Sequence, residues 1–125
     1  MKESKTVAVV GLSPKEDRPS YRVASYLKSV GYRIIPVNPN VSEVLGERSY
    51  ADLGSVRERI DVVDIFRKSE DVPSIVDEAI KLRAHVWMQE GIVNDQAAMK
   101  ARAAGLLVVM DRCMLKEHKK LSAVP

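Results

Sequence analysis

Val7-Ala-Val-Val-Gly-Leu-Ser-Pro-Lys-Glu-Asp-Arg-Pro-Ser20 carries an apolar strand into a glycine, then a polar loop, then Pro19 at a helix start. The β-branched run over residues 6–11 does not alternate, which is the pattern of a strand buried on both faces of a parallel sheet. Gly11 lets the backbone turn sharply at its end. A helix opening at Pro19 turns its unpaired N–H groups and the positive end of its dipole toward that loop, a geometry suited to phosphate.

Beyond the loop, Val23, Ala24, Leu27 and Val30 recur at helical spacing and Gly31 follows as a cap, predicting an amphipathic helix over residues 19–30. Residues 32–37 (YRIIPV) form a second strand, weakened at Pro36, which has no N–H to donate. Asn38-Pro39-Asn40 is a turn. Residues 41–60 are broken by Gly46 and Gly54 and yield only a brief helix from Leu53 to Arg59. A third strand spans residues 60–66, followed by a helix over 72–82 whose stripe is Val72, Ile75, Val76, Ala79 and Ile80, with Ser69 or Asp71 placed to cap it. His85–Gln89 is a fourth strand, Asn94 opens an alanine-rich helix through Ala104, and Gly105 ends it. Leu106–Met110 is a fifth strand and residues 115–121 a closing helix.

Strands alternating with helices specify one α/β domain over residues 1–125: a Rossmann-like, five-stranded, mostly parallel sheet with helices on both faces. A strand order of 3-2-1-4-5 puts the switch point between strands one and four, and the loops after Gly11 and Gln89 then face each other.

Composition narrows the function. The 20 Lys and Arg against 17 Asp and Glu give a charge of only +3, and the basic residues are scattered among acids. With few aromatics, this argues against a nucleic-acid platform. No apolar run reaches membrane-spanning length and no signal-like segment precedes the first strand, so the expected location is cytoplasmic, without membrane contact. The lone Cys113 fits a reducing compartment.

The loop after strand one lacks the dinucleotide fingerprint GxGxxG, because Ser13 and Glu16 stand where the second and third glycines belong. The acid that accepts ribose hydroxyls at the end of strand two is also missing, replaced by Asn38 and Pro39. Both omissions count against NAD. The loop offers instead Lys15, Arg18, Ser13 and Ser20, a set suited to a diphosphate or a phosphomonoester, although a solvated charged loop would read the same way. Arg67 and Lys68 extend this basic rim or simply face solvent. Asp64, inside an apolar strand, is expected to be paired or hydrogen-bonded as a structural anchor. His85 and His118 lack any acid–base constellation, and no metal-ligand cluster is visible.

The stretches VAVVGLSPKEDRPSYRVASYL, GYRIIPVNPN, Asp61-Val-Val-Asp-Ile-Phe-Arg67, WMQEGIVND and VVMDRCMLKEH, in that order over residues 5–121, resemble the small stand-alone CoA-binding domain proteins. That family is related to the N-terminal CoA-binding domain of the succinyl-CoA synthetase α subunit. The resemblance implies a Rossmann-like fold that holds coenzyme A by its nucleotide portion, with the thiol end projecting outward. It implies that Gly11, Leu12, Ser13, Lys15, Arg18, Pro19 and Ser20 hold the phosphates, and that Val37, Asn38 and Pro39 border the adenosine. By the same resemblance Phe66 and Arg67 line the cleft, and Gln89, Glu90 and Gly91 close it from strand four. Family members often carry an apolar residue at the place of Glu90, and an acid beside a polyphosphate is repulsive unless it faces a hydroxyl or amide.

Neither histidine matches the phosphorylatable histidine of such ligases, and no ATP-grasp domain is expected within residues 1–125. The reading is a module that binds CoA or an acyl-CoA without catalytic machinery of its own, as a carrier, sensor or partner subunit. The alternatives are an NAD(P)-dependent oxidoreductase or redox sensor, and half of a split acyl-CoA ligase working with a separate ATP-grasp subunit. The apolar Met110, Met114 and Leu115 either cover the sheet or face a second subunit of a homo-oligomer. A thiol cofactor also makes Cys113, beside Arg112, a candidate for a mixed disulfide under oxidation, against its plainer reading as a small buried hydrophobe.

Overall fold

A computed structural model describes residues 6–123. The residues before Thr6, where no signal-like segment was read, and the last two residues lie outside the described part. The elements run β1 (Thr6–Val10), α1 (Pro19–Ser29), β2 (Arg33–Val37), a hairpin of β3 (Glu43–Val44) and β4 (Glu47–Arg48), β5 (Val62–Ile65), α2 (Val72–Leu82), β6 (His85–Met88), α3 (Asp95–Ala103), β7 (Val108–Val109) and α4 (Met114–Ala123). The expected helix at 53–59 contracts to a three-residue 3-10 turn at Leu53–Ser55, capped by the Asp52 side chain.

The main sheet is parallel throughout, in the order β2-β1-β5-β6-β7. Alternate residues divide the core. Ala8, Val10, Ile35, Val37, Val63, Ile65, Val86 and Met88 pack toward α2 and α3, while Val7, Val9, Ile34, Val62 and Trp87 pack toward α1 and α4. Each fully buried valine or isoleucine in these layers contributes about 1.5–3 kcal/mol.

The expected order of 3-2-1-4-5 is therefore wrong: the third major strand, β5, pairs with β1 in register Val7↔Val62 through Val10↔Ile65. The reason lies in residues 41–60. The outer edge of β2 is already occupied by the backbone of Tyr50, a one-residue parallel bridge to Val37 in which Tyr50 N donates to Pro36 O at 3.0 Å and Asn38 N donates to Tyr50 O at 2.8 Å. The nitrogen of Pro36 lies on this same outward side, so its missing N–H costs the central ladder nothing. The switch point falls between β1 and β5, with α1 on one face and α2 on the other. Gly11 thus faces Phe66 and Arg67 rather than the loop after Gln89.

Candidate functional site

At the switch point the backbone of Gly11 takes φ +89°, and a Cβ there would lie 2.6 Å from the Phe66 carbonyl oxygen and 3.1 Å from Arg67 Cδ. Only glycine suits that position, on conformation and on space. Two cavities meet at it.

The first opens on the α1 side, with a volume of about 410 Å³, lined by Gly11, Ser13, Lys15, Arg18, Pro19, Ser20 and Phe66. The loop is shaped by its own serines: Ser13 N donates to Ser20 Oγ at 3.0 Å and Lys15 N donates to Ser13 Oγ at 3.1 Å. Each hydroxyl accepts from backbone and keeps its own proton for another acceptor. Pro19 begins α1, and the first turn leaves the amides of Ser20 and Tyr21 without an intrahelical acceptor. Neither Lys15 nor Arg18 has an ion-pair partner among the described residues. The site therefore gathers uncommitted positive charge at a helix N-terminus.

The second cavity, about 380 Å³, lies on the α2 side. The end of β2 and its turn supply Val37, Asn38 and Pro39, and Arg67 stands at the junction beside Gly11. Ala51, Asp52 and Leu53 and the α2-side residues Asp71, Ser74, Ile75 and Glu78 complete the wall. Arg67 Nη2 donates to Asp71 Oδ2 at 3.2 Å. Asp71 stands at the head of α2 but makes no capping bond, because its carboxylate is turned to Arg67.

Asn38, at the place of the expected acid, is a brace. Its Nδ2 donates to Leu12 O at 2.9 Å and its Oδ1 accepts from Asn40 N at 2.9 Å, tying the loop after β1 to the turn after β2. Leu12 itself contributes only backbone here, its side chain being fully buried against α1 and α4.

Gln89, Glu90 and Gly91 line neither cavity. In the observed order β6 lies one strand farther from β1, and this trio braces the last helix and the turn before it instead. Buried Gln89 accepts from Met114 N at 3.2 Å, Gly91 N donates to Asp111 Oδ1 at 2.7 Å, and Glu90 pairs with Lys116 Nζ at 3.0 Å, which raises the lysine's pKa. The acid at position 90 thus faces a cation. Cys113 is buried in the α1/α4 layer and lines neither cavity. The histidines have local work: His85 Nδ1 accepts from Leu107 N at 3.0 Å, and His118 Nδ1 lies 2.6 Å from the Tyr26 hydroxyl.

Asp64 departs from its expectation. It is fully buried, in register with Val9 and Trp87, and neither carboxyl oxygen has a hydrogen-bond partner. Burial drives its pKa well above the usual carboxylate range.

Sequence reading missed the 51–53 segment, which has no period, and the cavity-facing residues at α2. The latter did leave a signal: Asp71, Ser74, Ile75 and Glu78 follow the i, i+3, i+4, i+7 spacing of one helix face.

The chain is 40% identical over 119 residues to the Bacillus subtilis protein YneT, covering 94% of this chain and 88% of that one. It is 31% identical over 77 residues to an ADP-forming acetate–CoA ligase of Methanocaldococcus jannaschii, a match spanning 62% of this chain but 11% of the ligase. A solved structure described as a hypothetical protein from Pyrococcus horikoshii superposes with a TM-score of 0.94 at 41% identity, over 98% of this chain and 87% of that one. The sequence profile of the CoA binding domain covers residues 5–119, and the chain belongs to the CoA binding domain family.

Proposed function

We propose that this chain binds coenzyme A, or an acyl-CoA, by its nucleotide diphosphate and serves as a carrier, sensor or partner subunit without catalysis of its own. The observation that carries the reading is that two cavities adjoin at Gly11, one holding Lys15 and Arg18 at a helix start and the other of a size for a nucleoside. The diphosphate would sit on the α1 side, over Gly11 and the backbone of Leu12, held by Ser13, Lys15, Arg18 and the helix start at Pro19 and Ser20. The adenosine would lie in the α2-side cavity against Val37, Asn38 and Pro39, with Phe66 and Arg67 at the junction. A pocket of this size, mostly apolar with a few placed polar groups, suits a nucleoside.

Family membership supports a CoA-type ligand, and the likeness to acetate–CoA ligases supports a partnership in which acyl transfer resides on a separate ATP-grasp subunit. One observation favours a nicotinamide dinucleotide as a second reading: Asp52 and Glu78 supply carboxylates that the end of β2 lacks. Equilibrium binding of CoA and NAD to nucleotide-stripped protein separates the two. CoA binding with weaker or no NAD binding supports the first, and NAD binding alone overturns it.

A further inference from the structure

The α2-side cavity carries charge of the wrong sign for a second phosphate. Asp52, Asp71 and Glu78 line it against a single cation, Arg67, which is already engaged by Asp71. Asp52 and Glu78 converge from separate elements, since Asp52 Oδ1 and Glu78 Oε2 each stand 3.5 Å from the point where a Cβ on Gly54 would lie. Asp52 commits Oδ1 to the amide and hydroxyl of Ser55, at 2.9 and 2.8 Å, and its other oxygen has no hydrogen-bond partner among the described residues. Glu78 Oε1 lies 3.8 Å from Lys81, too far for a hydrogen bond. Two carboxylates with accepting capacity facing one cavity are what a ribose diol needs, the role played in dinucleotide folds by the acid at the end of the second strand. Here that place holds Asn38, whose side chain is consumed by Leu12 and Asn40.

Resting on the reading that the nucleoside lies in this cavity, we infer that Asp52 and Glu78 accept hydrogen bonds from a free ribose diol. The cavity then discriminates against a phosphate on the ribose, and the chain binds dephospho-CoA more tightly than CoA. A phosphomonoester brings a charge of about −1.5 to −2. Across a hydrated, salt-screened cavity its repulsion by the carboxylates corresponds to roughly a three- to ten-fold difference in Kd.

Calorimetric titration of nucleotide-stripped protein with dephospho-CoA and CoA in parallel, at low and high salt, reads this directly. The expected result is tighter binding of dephospho-CoA, with a gap that narrows as salt rises. Glu78→Gln, on the outer side of α2, narrows the gap by improving CoA more than dephospho-CoA, and Asp52→Asn does the same from the opposing wall. Equal or tighter binding of CoA overturns the inference and leaves the CoA-type reading standing, as does a gap that neither substitution changes. Failure of both ligands to bind removes the inference and the reading together.

Discussion

The position that a Cβ on Gly11 would occupy lies 2.6 Å from the carbonyl oxygen of Phe66, so the two strands at the switch point approach closely only because residue 11 has no side chain. Gly11→Ala must both push Phe66 away and hold φ near +89°. The combined strain is expected to cost about 2–4 kcal/mol. Urea denaturation measures that loss, and a parallel CoA titration should show binding abolished or greatly weakened. An unchanged denaturation midpoint would show that the junction can yield.

Asp64 is expected to make the protein less stable at neutral pH than in mild acid. Its carboxyl has a raised pKa in the folded state, so the folded protein holds a proton that the unfolded chain releases. The stability from this group is full below the ordinary carboxylate value of about 3.9. It is lost as pH rises toward the folded value. Asp64→Val removes the titration and both orphaned oxygens, with an expected gain of about 1–3 kcal/mol at neutral pH that shrinks toward pH 4. Denaturant unfolding across that range checks it, and a loss of stability at neutral pH would contradict the account.

Asn38→Asp tests whether an acid at the end of β2 would create a dinucleotide site here. The new carboxylate oxygen would face the Leu12 carbonyl, which now receives the Nδ2 hydrogen bond. The expected result is a loss of about 1–3 kcal/mol and weaker binding of CoA and NAD alike. A gain in NAD affinity would show that position 38 can turn outward to a ligand.

The residues after β6 should prove structural. Gln89→Leu leaves the buried Met114 amide unpaired, and a stability loss of about 1–3 kcal/mol is expected. Glu90→Gln weakens only an exposed pair with Lys116. Both variants should keep CoA affinity within about two-fold of the parent, since exposed pairs contribute little and neither residue lines a cavity. A larger change in calorimetric Kd would return this segment to the ligand.

How much of this was legible in the sequence follows from which signals are local. The strand–glycine–proline run, the Asn94 cap, whose side chain accepts from Ala97 N at 3.0 Å, and the apolar stripe of α2 are written in neighbouring residues, and each appears where its pattern placed it. Strand order is not local. It turned on Tyr50 covering the outer edge of β2, a pairing made by backbone atoms that leaves no mark in residue type. The same blindness hid half of the α2-side cavity, because Asp52 and Leu53 reach it through an aperiodic segment. It also set the loop after Gln89 opposite Gly11, where Phe66 and Arg67 stand instead. The residues of the α1-side cavity between Gly11 and Ser20, within ten positions, were gathered by the chain itself.

The most direct test of the central claim is calorimetric titration of nucleotide-stripped protein with CoA, before and after Lys15→Ala and Arg18→Ala. Both cations lie in the α1-side cavity without an ion-pair partner among the described residues, so their removal leaves no buried charge behind. Loss of a charged hydrogen bond to phosphate corresponds to about a ten-fold or greater rise in Kd for each substitution. The account predicts CoA binding that falls by that factor with each variant while the denaturation midpoint stays put. No binding of CoA by the parent protein, or binding indifferent to both substitutions, would contradict it.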